Sequence, residues 1–171
     1  MDLKKVIADI PDFPKPGILF RDITPILEDP RAYRAAVDGL AALLRGTPCD
    51  RLAAIESRGF ILGGPLSLRL DRGLILVRKA GKLPRATVGE SYDLEYGSAA
   101  IEVHRDSLKP GERVVVIDDL LATGGTAAAA GRLVRKCGGE VAAYLFMVEL
   151  GGLGGRRQLA DAPVFSLVVY D

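Results

Sequence analysis

A chain of 171 residues with 49% hydrophobic and 26% charged side chains is sized and composed like one soluble globular domain. Its 23 Lys and Arg against 22 Asp and Glu leave a net charge of +1, without the basic excess of a dedicated nucleic-acid binder. Two distant cysteines, Cys49 and Cys137, and a single histidine, His104, exclude a disulfide framework and any metal site built on several imidazoles.

In chain order, the first segment reads as a short helix from Leu3 to Ile10, with neither the flanks nor the apolar run of a signal peptide. The stretch from Pro11 to Gly17 holds Pro11, Pro14 and Pro16 and is extended and stiff. A strong helix follows, with Asp29 as N-cap, Pro30 at its first position, and Tyr33, Ala36, Val37, Leu40 and Leu44 on one face; Gly46 stops it.

From Arg51 the pattern alternates. Leu52 to Ile55 is a strand, Glu56-Ser57-Arg58-Gly59 is a turn, and a helix runs to about Leu70. Leu74 to Val77 is the next strand; a polar loop leads to a third at Ile101 to Arg105 and a fourth at Arg113 to Ile117. A helix from about Gly125 to Cys137, a strand from Val141 to Val148, and a last strand from Val164 to Tyr170 complete the order. The Val141 to Val148 run is also the longest strictly apolar one, far short of the roughly 20 residues that a spanning helix needs. Short β-branched runs alternating with helices predict an α/β fold with a parallel central sheet flanked by helices, Rossmann-like in its winding. In such sheets ligands bind beyond the carboxyl ends of the strands.

The 20 glycines exceed the usual share of about 7%, and they fall at specific places. The clearest is Asp118-Asp119-Leu120-Leu121-Ala122-Thr123-Gly124-Gly125-Thr126, which follows four apolar residues and opens a helix. Glycines let backbone N–H groups approach an anion, the helix N-terminus adds partial positive charge, and Thr123 and Thr126 offer hydroxyls. Two adjacent carboxylates at a buried strand end are costly unless something uses them, and a pair of sugar hydroxyls suits them; helix capping is the plainer alternative. Neither a G-x-x-x-x-G-K-[ST] loop nor G-x-G-x-x-G is present. Arg78-Lys79-Ala80-Gly81-Lys82-Leu83-Pro84-Arg85 carries only positive charge and, by residue type alone, reads equally well as a solvated run.

The Asp118 to Thr126 segment resembles the phosphoribosyl-pyrophosphate (PRPP) signature of the type I phosphoribosyltransferases. Four further segments match the adenine-using form of that family in order: Phe13 to Ile23, Glu56 to Phe60, Val77 to Pro84, and Ser91 to Gly97. The resemblance covers nearly the whole chain. It implies one phosphoribosyltransferase domain over 1–171, with residues 1–28 as a small N-terminal hood over the base site and a mobile loop that begins near Arg78.

By the same resemblance, Asp118 and Asp119 meet the ribose 2′- and 3′-hydroxyls, while Ala122, Thr123, Gly124, Gly125 and Thr126 hold the 5′-phosphate. Ser57 and Arg58 meet the diphosphate, joined by Arg78, Lys79 and Lys82, some of them reaching a partner subunit's site in a homodimer. Backbone groups of Leu19 and Arg21 pair with the base, Phe20 packs on it, and Glu95 serves as acid/base and base-orienting group; Arg58 is the second catalytic candidate. Ala122 stands where hypoxanthine-guanine relatives carry an acid. The implied reaction is purine salvage in the cytoplasm: adenine and PRPP give AMP and pyrophosphate. Mg2+ is held mainly by PRPP oxygens near Asp118 and Asp119. The other readings are an enzyme for a different purine, xanthine or a 6-oxopurine, and a non-catalytic PRPP or purine sensor. His104 reads as structural, and Leu150 or Leu153 as a floor for the base pocket.

Overall fold

The computed structural model describes residues 1–93 and 97–171. Nine strands and four α-helices are placed among them: β1 (Ala8–Pro11), β2 (Leu19–Asp22), α1 (Thr24–Glu28), α2 (Pro30–Leu43), β3 (Arg51–Ile55), α3 (Arg58–Leu70), β4 (Gly73–Lys79), β5 (Thr87–Asp93), β6 (Ser98–His104), β7 (Arg113–Leu121), α4 (Gly125–Lys136), β8 (Glu140–Leu150) and β9 (Val164–Tyr170).

Seven strands form the central sheet in the order β5-β6-β4-β3-β7-β8-β9. The five from β4 to β9 run parallel, as the alternating strands and helices require. At the other edge β6 is antiparallel to β4, and β5 antiparallel to β6, so the sheet is mixed rather than wholly parallel. Strand β5 arises within the segment expected as a polar loop. Its sequence, Thr-Val-Gly-Glu-Ser-Tyr-Asp, lacks an apolar run; pairing along β6 and the ion pairs of Glu90 with Arg132 and Lys136 of α4 hold it instead.

Side chains alternate across this sheet with period two and sort the core into two halves. Leu52, Ala54, Val115, Ile117 and Leu145 pack with α2 and α3 through Ala36, Leu40, Leu62 and Leu66. Ala53, Ile55, Val114, Val116, Tyr144 and Phe146 pack with α4 through Ala129, Ala130, Leu133 and Val134. The α2 helix starts as its sequence predicts, with the Asp29 carboxylate accepting from the Arg31 amide at 2.8 Å.

The N-terminal segment departs from expectation. Only Leu3–Lys5 turns, as a single 3-10 turn, and Ala8–Pro11 is a strand instead of the end of a helix. It pairs antiparallel with β2 across the proline-rich stretch, Ile10 opposite Phe20. Leu3, Ile7, Ile23 and Ile26 bury themselves in the α2–α3 half of the core and fasten this hairpin to the sheet. Among the described residues no helix is long and apolar enough to cross a membrane.

Candidate active site

Strand β7 runs past Ile117 to Leu121, so Asp118 and Asp119 stand within the hydrogen-bonded ladder, Asp118 opposite Phe146 of β8. Burial pushes the Asp118 carboxyl well above its ordinary value; the charge of Asp119 adds to this, and the Asp119 amide, donating to Asp118 Oδ1 at 2.8 Å, works against it. Asp119 is itself buried, and its carboxylate meets Arg58 Nε at 2.5 Å. Gly59 keeps this meeting close. A Cβ there would lie 3.0 Å from the Ile117 carbonyl oxygen and 3.1 Å from Asp118 Oδ1, so a side chain would push the start of α3 and the acid pair apart by a few tenths of an ångström.

Beyond β7 the chain turns through Ala122 and Thr123 to Gly124, which has φ +87° and serves as N-cap of α4 without any side-chain capping bond. The first amides of α4 have no intrahelical acceptor and carry the positive end of the helix dipole. An anion is their natural partner. This turn is backed by the glycine-rich stretch after β8, where buried Gly155 packs against the Ala122 carbonyl and the Leu121 side chain. Arg156, next in sequence, holds that stretch in place with two 2.7 Å bonds to buried Glu149.

A cavity of about 360 Å³ opens over these strand ends, lined by Glu56, Ser57, Arg58, Lys79, Tyr92, Asp118, Asp119 and Thr126, with Ile55 beneath. Glu56 organises its basic side. Its carboxylate accepts from the Lys79 amide at 2.9 Å and from Arg78 at 3.2 and 3.3 Å. The Arg78 guanidinium also donates to the Lys82 carbonyl at 3.0 Å. Arg78 is thus committed to Glu56 and the turn, whereas Lys79 lines the cavity; Lys82 is exposed and outside the lining. Nearby, buried Glu102 accepts from the amides of Gly81 and Leu83 at 3.1 and 3.2 Å and shapes the turn.

A second cavity, about 430 Å³ and largely apolar, lies under the β1–β2 hairpin. Ile10, Phe13, Phe20, Arg21, Asp22, Ile23, Thr24 and Arg58 line it, and the rings of Phe13 and Phe20 meet edge to face at 5.2 Å. Arg58 lines both cavities, its guanidinium 5.8 Å from the Phe20 ring centroid. An apolar slot and a polar, charged chamber therefore share one arginine as their wall. Such a pair suits a flat heterocycle beside a phosphorylated sugar.

Of the residues singled out from sequence, Ser57, Arg58, Lys79, Asp118, Asp119 and Thr126 line the polar cavity, and Phe20 and Arg21 the apolar one. Ala122, Thr123, Gly124 and Gly125 form the adjoining turn. Leu19 is exposed at the start of β2 and is not among the lining residues. Glu95 lies outside the described residues. Neither Leu150 nor Leu153 forms a floor to the apolar cavity: Leu150 packs on the main core, and Leu153 is 51% exposed. His104 lines none of the cavities described. Sequence reading missed Glu56 and Tyr92 as wall residues and Phe13 as a partner of Phe20, although all three lie in the recognised segments.

Residues 26–162 match the model of the phosphoribosyl transferase domain. An adenine phosphoribosyltransferase of Synechococcus is 53% identical over 171 residues, covering all of both chains. The crystal structure of adenine phosphoribosyltransferase from Thermoanaerobacter pseudethanolicus superposes with a TM-score of 0.96 at 47% identity, over 99% of this chain and 98% of that one. The Saccharomyces cerevisiae adenine phosphoribosyltransferase, solved with an imino-altritol bisphosphate and adenine, superposes with a TM-score of 0.93 at 40% identity, over 97% and 96% of the two chains. With its full-length relatives, the chain belongs to the adenine phosphoribosyltransferases of the type I phosphoribosyltransferase family.

Proposed function

We propose that this chain transfers the 5-phosphoribosyl group of PRPP to N9 of adenine, giving AMP and pyrophosphate in purine salvage. One observation carries the reading beyond family membership: the apolar cavity of Phe20 meets the acid-and-base chamber of Asp118, Asp119 and Lys79 at Arg58. A base in the apolar cavity and a ribose in the polar one would then occupy adjoining chambers that share Arg58.

Asp118 and Asp119 receive the 2′- and 3′-hydroxyls of the ribose. With burial favouring its neutral form, Asp118 can donate as well as accept. Ala122, Thr123, Gly124, Gly125 and Thr126 receive the 5′-phosphate, using the free amides at the start of α4. Ser57, Arg58 and Lys79 face the diphosphate, with Arg78 and Lys82 supporting that side. Before substrate binds, Asp119 holds Arg58; a diphosphate competes for the guanidinium and leaves the carboxylate for the sugar. The base lies against Phe20, paired by backbone groups of Leu19 and Arg21.

The N9–C1′ bond forms as the C1′–O bond to pyrophosphate breaks, and the ring proton leaves the base. Cationic charge grows at C1′ beside the carboxylates, and anionic charge grows on the diphosphate beside Arg58 and Lys79, so positioning and charge complementarity supply the rate. Glu95 is assigned to orient the base and take its proton. Mg2+ fits as an ion carried by the substrate: the described residues hold no cluster of three or more metal-ligating side chains, while the Asp118–Asp119 pair stands where the sugar would lie. When bound, it would be held mainly by PRPP oxygens near Asp118 and Asp119 and would supply positive charge against the diphosphate. A homodimer in the cytoplasm completes the proposal.

The test is AMP formation from adenine and PRPP, with and without Mg2+, against hypoxanthine, guanine and xanthine as competing bases. Adenine is expected to win; a preference of about tenfold for hypoxanthine, worth about 1.4 kcal/mol, would overturn the assignment of the base.

A further inference from the structure

The apolar cavity owes its shape to strand β2, which belongs to a hairpin with only two strands. A two-stranded hairpin is marginal by itself and needs packing against something else to keep its place. Below it, the buried Leu3, Ile7, Ile23 and Ile26 supply that packing. At the outer edge the contact is of a different kind and involves the end of β9. The Arg21 guanidinium lies 3.9 Å from the centroid of the Tyr170 ring and is ion-paired with Asp9, its register partner on β1. Lys4 approaches the same ring at 4.5 Å and donates to the Val169 carbonyl at 2.9 Å. Two hood cations therefore converge on one aromatic ring of the sheet's last strand.

The Arg21 side chain is only 18% exposed, and a partly desolvated guanidinium over a ring is held more firmly than a solvated one. Arg21 directly follows Phe20, which walls the cavity. A shift of the Arg21 anchor is carried by one peptide unit into the aromatic wall.

We infer that Tyr170 is a positioning residue for the base site: its ring holds Arg21, and through it β2, where Phe20 can receive the base. This rests on the reading of the apolar cavity as the base site. Tyr170 lines neither cavity; it acts through Arg21. The ring, not the hydroxyl, does the holding, so phenylalanine can replace it.

The test is steady-state kinetics, varying adenine and PRPP separately, on the wild type, Tyr170→Leu, Tyr170→Met and Tyr170→Phe, together with hydrogen exchange on the free proteins. Tyr170→Leu is expected to raise the adenine KM about 3- to 10-fold, with kcat and the PRPP KM held within about twofold. Tyr170→Phe is expected to match the wild type. An unchanged adenine KM in Tyr170→Leu, an equal rise in the PRPP KM, or a Tyr170→Phe variant as impaired as Tyr170→Leu overturns the inference. If Tyr170→Leu does not fold, Tyr170→Met, which keeps apolar bulk but removes the aromatic face, carries the same kinetic expectation. A wild type that ignores adenine overturns the functional reading instead. Exchange then still judges the clamp: faster exchange across Ala8–Pro11 and Leu19–Asp22 with β3 and β7 unchanged supports it, and unchanged exchange in the hairpin overturns it.

Discussion

Gly155 presses its backbone against the carbonyl of Ala122, leaving no room between them for a side chain. The two residues belong to the connection after β8 and the turn after β7, and their contact backs the anion-binding turn from behind. Gly155→Ala must push one of these backbones aside. Overpacking of this kind costs about 1–3 kcal/mol. The expected result is a fall in unfolding midpoint of about 2–4 °C per kcal/mol and a rise in the PRPP KM larger than that for adenine. Gly152, which faces open space, serves as control: Gly152→Ala should leave both quantities unchanged.

Asp119→Asn removes the charge that Arg58 meets at 2.5 Å and that the ribose would use. Hydrogen bonds to charged groups are worth about 1.5–3 kcal/mol, so PRPP affinity should fall about 10- to 100-fold. Titration calorimetry with PRPP checks this.

Asp118 is expected to behave differently in its stability. Burial, with Asp119 beside it, raises its folded pKa above the unfolded value, so the folded state binds the extra proton between the two. Its favourable contribution is complete below the unfolded pKa of about 3.9 and is lost as pH rises through the folded value. Asp118→Asn cannot lose a proton. Its unfolding midpoint relative to the wild type should therefore climb from acid to neutral pH. Thermal melts across that range measure the effect.

Glu56 titrates in the opposite sense. The Arg78 guanidinium, then the Lys79 amide, hold its carboxyl below the ordinary value. That stability is present above the unfolded pKa of about 4.3 and disappears as pH falls through the lowered folded value. Glu56→Gln should match the wild type in the most acidic buffers and melt lower at neutral pH. Because Glu56 fixes Lys79 at the cavity wall, product inhibition by pyrophosphate should weaken by about 3- to 10-fold, the size of one ordinary hydrogen bond.

Phe20→Ala removes the aromatic wall beside Arg58. Stacking of a base on an aromatic ring is worth about 1–3 kcal/mol by alanine substitution, so the adenine KM should rise about 5- to 100-fold. The PRPP KM serves as the internal control.

The α2 helix was legible from Asp29 and Pro30, and β9 from its β-branched run, because capping and strand propensity act over a few neighbouring residues. The turn into α4 was legible for the same reason: acids, glycines and threonines follow one another directly in the chain. The β1–β2 hairpin was not, since Ala8–Pro11 becomes a strand only by pairing across the prolines with Leu19–Asp22. Strand β5 escaped notice because its seven residues are ordered by β6 and by the ties of Glu90 to Arg132 and Lys136 on α4, rather than by apolar content of their own.

By itself the sequence determined the order of strands and helices, the family, and the short motifs in which each binding residue sits, all of which are local patterns. Only the tertiary structure decided that Arg58 meets Asp119 across 61 positions of chain, that one arginine walls two cavities, and that Gly155 backs Ala122. It also decided that Tyr170 reaches Arg21 from the far end of the chain. Those relations depend on which strands become neighbours in the sheet, and that is settled by burying both of its faces at once.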